Sequence, residues 1–331
     1  MLTRDEDPAR GNENAQGFVP LPVLAAPPRR PRRYPSWIKV RYSENERYLH
    51  LREKVRSHSL HTVCEEAECP NIGECWAHGT ATFMLLGDTC TRGCQFCAVG
   101  RGKPGALDPS EPMNVAEVAA DLGLDYVVLT SVNRDDLPDE GAEHFAKTIR
   151  AIARRIPHAK VEALVPDFHA RRELIERVVL TPLHVFAHNV ETVPRLYRRV
   201  RAGSDYRRSL ETLKRAKEVA RSSPDRAPSL PGVPILTKSS LMLGLGETRR
   251  ELLEVFADLR EHDVDVLTLG QYLQPSAHEL EVFRFVPPGE FDDLRREAER
   301  MGFRHVVSSP MSRSSYHAWE VAGEAEGPPA G

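Results

Sequence analysis

Apolar residues in this chain gather into short runs set between longer amphipathic stretches. Six runs have the length and β-branched character of buried strands: residues 83–86, 126–129, 161–165, 184–187, 234–237 and 264–269. Between them, apolar and charged positions recur with a helical period over residues 115–122, 143–155, 170–179, 210–220 and 248–261. Strands alternating with helices predict βαβ units and a parallel sheet. Six such units predict an α/β fold of the partial (β/α)6-barrel type, with active-site loops at the carboxyl ends of the strands. The chain then divides into an arm (1–36), an N-terminal extension (37–82), the barrel (83–305) and a C-terminal extension and tail (306–331), the extensions covering the barrel mouth. Residues 1–36 are rich in Pro, Arg, Asn and Glu without periodicity, which predicts a flexible arm.

The 331 residues, 40% hydrophobic, suffice for one large core, and a formal net charge of −3 leaves no footprint for nucleic acid. The densest basic run, residues 29–33, reads as a solvated part of the arm. No apolar stretch reaches the ~18–20 residues a membrane span requires. The segment 18–28 is interrupted by prolines and lacks a basic lead, so it does not read as a signal peptide. A cytoplasmic location is expected, where thiols stay reduced.

That expectation gives weight to the cysteines, because all 6 lie between Cys64 and Cys97. Cys90-Thr-Arg-Gly-Cys94-Gln-Phe-Cys97 follows the first strand of the barrel, at its mouth. Three closely spaced thiolates suit three corners of a four-iron, four-sulfur cube and leave one iron open for a substrate. The other reading is a zinc site of Cys₃His type, although zinc modules usually carry a second ligand pair further along the chain. Cys64-Glu-Glu-Ala-Glu-Cys69-Pro-Asn-Ile-Gly-Glu-Cys75 forms a second trio, and its nearness to the first suggests two metal centres in one site.

The first trio, with Phe96 as its aromatic, resembles the radical-SAM signature. The stretch from Leu60 to Val99 resembles lipoyl synthase more specifically. So do SVNRDDL from Ser131, VEALVPDF from Val161, LMLGLGE from Leu241, GQYLQPS from Gly270 and RSSYHA from Arg313. The resemblance implies two [4Fe-4S] clusters and S-adenosyl-L-methionine, which is split at the open iron into methionine and a 5′-deoxyadenosyl radical. It implies sulfur insertion into an octanoyl chain carried on a protein lysine, with the second cluster as sacrificial donor. The implied carriers are the E2 component of 2-oxoacid dehydrogenases and the H protein of glycine cleavage. The implied electron donor is a flavodoxin or ferredoxin. Cys90, Cys94 and Cys97 would hold the radical-generating cluster, and Cys64, Cys69, Cys75 and Ser315 the auxiliary one. Ser314 is the alternative register, and Arg313 of the same motif joins the catalytic set. Another dual-cluster radical-SAM sulfur-transfer enzyme is the competing reading.

Cofactor contacts are expected where polar residues follow strands: Ser131 and Asn133 after the second, Asn189 after the fourth, Lys238 after the fifth. Phe96 and Gly244 join them through the resemblance, Gly244 as part of a glycine-bearing segment that lets backbone approach the adenine. His61, His78, His184, His188 and His317 are assigned to packing. Arg134, Asp135 and Asp136 read as an ion-paired turn.

Overall fold

The computed structural model describes residues 34–39, 46–66, 69, 71–77, 81–225 and 233–315. Most of the expected arm, His78, and the chain from Tyr316 onward, with His317, lie outside the described residues. One eight-stranded sheet runs in sequence order: β1 (His61–Thr62), β2 (Thr82–Leu85), β3 (Tyr126–Ser131), β4 (Lys160–Leu164), β5 (Val185–Ala187), β6 (Leu236–Leu243), β7 (Val266–Gln271) and β8 (His305–Ser308). β1 pairs antiparallel with β2, and every later neighbour is parallel. No ladder among the described residues joins β8 back to β1 or β2, so the barrel is open.

Helices α1 (Glu46–Ser57), α2 (Val63–Glu66) and α3 (Ile72–Ala77) flank β1 along the chain. The crossovers carry α4 (Glu111–Asp121), α5 (Ala142–Arg155), α6 (Arg172–Val179), α7 (Pro194–Val200), α8 (Tyr206–Ser222), α9 (Arg249–Glu261) and α10 (Pro288–Arg300). The local chemistry is ordinary. In α5, Phe145, Ile149 and Ile152 fall on one stripe and are fully buried. α9 begins with a capping box, in which the Thr248 hydroxyl accepts from Glu251 N–H and the Glu251 carboxylate accepts from Thr248 N–H. No described helix is long and apolar enough to cross a membrane.

Period-two alternation sorts the strand side chains into two layers. Val127, Leu129, Val161, Ala163, Phe186, Leu241 and Leu267 join the main core under the helices. Their alternates Tyr126, Val128, Glu162, Val185, Leu236, Lys238 and Val266 therefore face the barrel interior. There Lys238 Nζ donates to both Glu162 oxygens at 2.9 and 3.0 Å, and Tyr126 Oη donates to Glu162 at 2.8 Å.

Three elements differ from the sequence expectation. β6 extends to Leu243 because its polar residues, Lys238 to Ser240, point inward or into strand contacts rather than ending the strand. A seventh parallel strand, β8, was not expected: its half-exposed HVVS carries too few apolar residues to stand out. It crosses the position, 305, at which the sequence ends the barrel. α10 was hidden by its charge, although Phe291, Leu294 and Ala298 form a buried stripe on it.

Candidate active site at the strand ends

The three-cysteine loop leaves β2 through Leu86 and returns on itself by a two-residue ladder, Thr89–Cys90 against Gly100–Arg101. Cys97 N–H donates to Cys94 O at 3.3 Å, which closes a turn around the second and third thiols. Cys90 Sγ accepts two backbone N–H groups, from Arg92 at 3.4 Å and from Asn133 at 3.3 Å. Gln95 N–H donates to Val200 O and Gln95 O accepts from Leu280 N–H, so the loop is held from α7 and from the segment after β7.

The other trio lies beside β1. Cys64 sits in α2, Cys69 N–H donates to Cys64 O at 3.1 Å, and Cys75 in α3 donates its N–H to Asn71 O at 2.9 Å. Asn71 Nδ2 in turn donates to Met311 O at 2.7 Å, which draws the chain after β8 onto this trio. Arg313 follows: burial presses its guanidinium pKa downward, and the nearby Cys69 pulls it back. Ser314 and Ser315, the last described residues, are half-buried beyond it.

All six thiols are free. Burial pushes the Cys64 thiol up to about 12 and the Cys97 thiol up to about 11, and it raises Cys75 and Cys94 as well. Each charged neighbour within a trio raises its partners further, while the Arg201 charge favours the Cys94 thiolate. Three thiolates can coexist in such a pocket only when a cation neutralises them. A single zinc ion would gather sulfurs to about 3.8 Å, given Zn–S bonds of about 2.3 Å. No three cysteine sulfurs lie within 4.8 Å of one another.

The expected cofactor contacts divide. Ser131 ends β3 with its Oγ buried and unpartnered, and Asn189, two residues after β5, has its Oδ1 in the same condition. Two orphaned polar atoms at the ends of strands on either side of β4 fit a polar ligand at this rim of the barrel. Phe96 packs half-buried on the main core, and Asn133 meets the site through its backbone. Lys238 is corrected: it lies inside β6, 1% exposed and ion-paired with Glu162, so it is not a strand-end ligand. Gly244 does lie just past β6, but its glycine is demanded by the chain itself. It has φ +96°, and a Cβ there would meet Gln271 Nε2 at 2.3 Å and Arg284 O at 2.4 Å.

Four residues were missed. Glu191, half-buried, accepts from Asn189 Nδ2 at 3.0 Å. Arg201, also half-buried, donates to Asn189 O and Tyr197 Oη, each at 2.6 Å, and its charge reaches Cys94. Arg92 and Asp167 pair beneath the loop at 2.8 Å. Burial would raise the Asp167 carboxyl, but hydrogen bonds from Arg92 and the charges around it hold it well below the usual range. Of the expected turn, Arg134 does pair with Asp136 at 2.9 Å, while Asp135 turns to Arg92. His188 is buried, bonding Val165 O and Ser209 Oγ, as packing requires.

With this geometry in hand, comparison with known proteins is specific. The radical SAM superfamily model matches residues 84–259. Lipoyl synthase of Methylococcus capsulatus is 50% identical over 330 residues, covering 97% of this chain and 98% of that protein. Lipoyl synthase of Laribacter hongkongensis is 50% identical over 305 residues, covering 92% and 93% respectively. Among solved structures, methylornithine synthase (PylB) superposes with a TM-score of 0.50 at 14% identity, over 71% of this chain and 74% of that one, a likeness of fold.

Proposed function

The chain belongs to the lipoyl synthase family of radical SAM enzymes, and from that premise we propose that its two cysteine trios divide the reaction between them. The enzyme forms the lipoyl group by radical insertion of sulfur into an octanoyl chain on a carrier protein, using S-adenosylmethionine and two four-iron clusters. When bound, those groups supply the electron, the radical and the sulfur. The protein's residues supply position, charge and exclusion of water.

Cys90, Cys94 and Cys97 hold the radical-generating cluster. Ser131 Oγ would donate or accept a hydrogen bond at the nucleoside and Asn189 Oδ1 would accept one, Glu191 would accept from its hydroxyls, and Arg201 would pair with the amino-acid carboxylate. Cys64, Cys69 and Cys75 hold the auxiliary cluster, with Ser315 completing it and Arg313 positioning that segment. The observation that carries this division is the separate housing of the trios: one in the loop after β2, bonded to Asn133 and close to Arg201, and one between β1 and the chain after β8. The carriers are E2 components and H protein, the donor is a flavodoxin or ferredoxin, and the setting is the cytoplasm.

Anaerobic reconstitution tests the division. Wild-type protein should hold about eight irons per chain. Alanine at Cys90, Cys94 or Cys97 should abolish formation of 5′-deoxyadenosine. Alanine at Cys64, Cys69 or Cys75 should leave some cleavage and no lipoyl product. Lipoyl product from a loaded Cys64→Ala protein would overturn the assignment.

A further inference from the structure

Arg92 sits between Cys90 and Cys94 and is 7% exposed. A guanidinium so buried needs partners, and this one has two carboxylates. Nη2 donates to Asp135 Oδ1 at 2.7 Å and to Asp167 Oδ1 at 2.8 Å. Nη1 reaches Asp167 Oδ2 at 2.9 Å, and Nε reaches Asp135 Oδ2 at 3.0 Å. The planar fork is therefore bidentate on both sides, a geometry lysine cannot reproduce. Asp135 lies beyond β3 and Asp167 beyond β4, so one side chain fastens the cysteine loop to two strand ends. Arg208 Nε adds a bond to Asp167 at 2.8 Å. Two arginines against two carboxylates leave no net charge, so the assembly acts through geometry.

The backbone beside Asp167 shows that this geometry is costly. Phe168, His169 and Ala170 all adopt left-handed φ, at 45°, 47° and 52°. Each non-glycine residue there costs about 1 kcal/mol or more. The turn is repaid by its aim: His169 N–H donates to the Asp167 carboxylate at 3.2 Å, and Ala170 N–H donates to Asp167 O at 2.7 Å.

The same network reaches the sulfur of Cys90. Its two donors are the backbone N–H groups of Arg92 itself and of Asn133. Thr91 locks them together, donating its N–H to Asn133 O at 3.1 Å and its hydroxyl to Asp135 at 2.6 Å. Hydrogen bonds to a cluster's thiolate ligands favour the more negative, reduced state and raise its potential. We propose that Arg92, anchored by Asp135 and Asp167, is a positioning residue that holds the two N–H groups on Cys90 and so sets the reduction potential of the cluster bound there. This rests on the reading that the Cys90 trio holds the radical-generating cluster.

The test is a redox titration of the reconstituted holoenzyme followed by electron paramagnetic resonance, with iron content and thermal unfolding measured alongside. Arg92→Gln and Asp135→Asn should keep both clusters. The midpoint of the Cys90 cluster should move to more negative potential, while that of the auxiliary cluster stays in place. Arg92→Lys, which restores the charge without the fork, should fall between. Fully loaded variants with an unmoved midpoint would overturn the proposal, even if they unfold at lower temperature. Loss of the cluster from all three variants would also overturn it, reducing Arg92 to a folding residue. Failure of the parent reading looks different: Cys90→Ala would then retain both clusters.

Discussion

At the scale of single residues, the proposed auxiliary site is tested at Ser315. A serine oxygen is a harder donor than thiolate and a poorer match to cluster iron, so Ser315→Cys should hold its iron more firmly. The variant is expected to load two clusters and form 5′-deoxyadenosine at the wild-type rate, with little or no lipoyl product. Ser314→Cys should be milder, and the reverse order in a lipoylation assay would shift the ligand by one position. His188 makes a second prediction, on pH. Burial is the main cause lowering its pKa, to about 4 from an ordinary 6.5, with the Arg201 charge adding to it. Between those values the unfolded chain binds the proton and the folded one does not, so stability rises with pH there and falls as pH drops. The loss should reach about 2 kcal/mol by pH 5. Replacing His188 with Gln should flatten that part of the slope in thermal unfolding of the holoenzyme between pH 7 and 5, and an unchanged slope would place the titration elsewhere.

At the scale of elements, β4 and β6 share the buried pair Glu162–Lys238. Removing one member strands the other's charge, a loss of about 3–5 kcal/mol. Lys238→Met should therefore lower the melting temperature sharply, while the folded protein keeps its affinity for S-adenosylmethionine. A selective loss of that affinity would return Lys238 to the cofactor site. The same pair marks the limit of what the sequence discloses. Strands with apolar faces on both sides, such as β3, are legible as runs. β6 is not, because a barrel interior that stores charge puts Lys238 and Ser240 where an apolar run should continue, and so Lys238 reads as lying beyond a strand end. The cysteine trios are legible because their chemistry lies in spacing along the chain. Arg201, Asp167 and the anchoring part of Arg92 are not, since partners that fix them lie on other elements. Arg201 is one of several arginines near α7, and only the fold directs it toward Cys94 rather than solvent.

For the whole molecule, the two trios occupy different parts of the frame. The Cys90 loop rests on β3, β4 and α7, whereas the Cys64 trio relies on the chain beyond β8. A protein ending at Met311 is therefore expected to keep one cluster and lose the other, giving about four irons per chain. It should still form 5′-deoxyadenosine, and retention of eight irons would show that the C-terminal segment is not needed to close the auxiliary site. The open sheet gives this dependence a further meaning. Around most of its girth the barrel is a hoop of backbone ladders, which part only when strands unfold. At the seam between β1 and β8 no ladder joins the described residues, and Asn71 on Met311 and Arg313 beside Cys69 make contact across it. The hoop is thus buckled at the Cys64 trio. A buckle can be slackened and refastened while the strap stays whole, so exchange of what these ligands hold need not disturb the strands that carry the rest of the site.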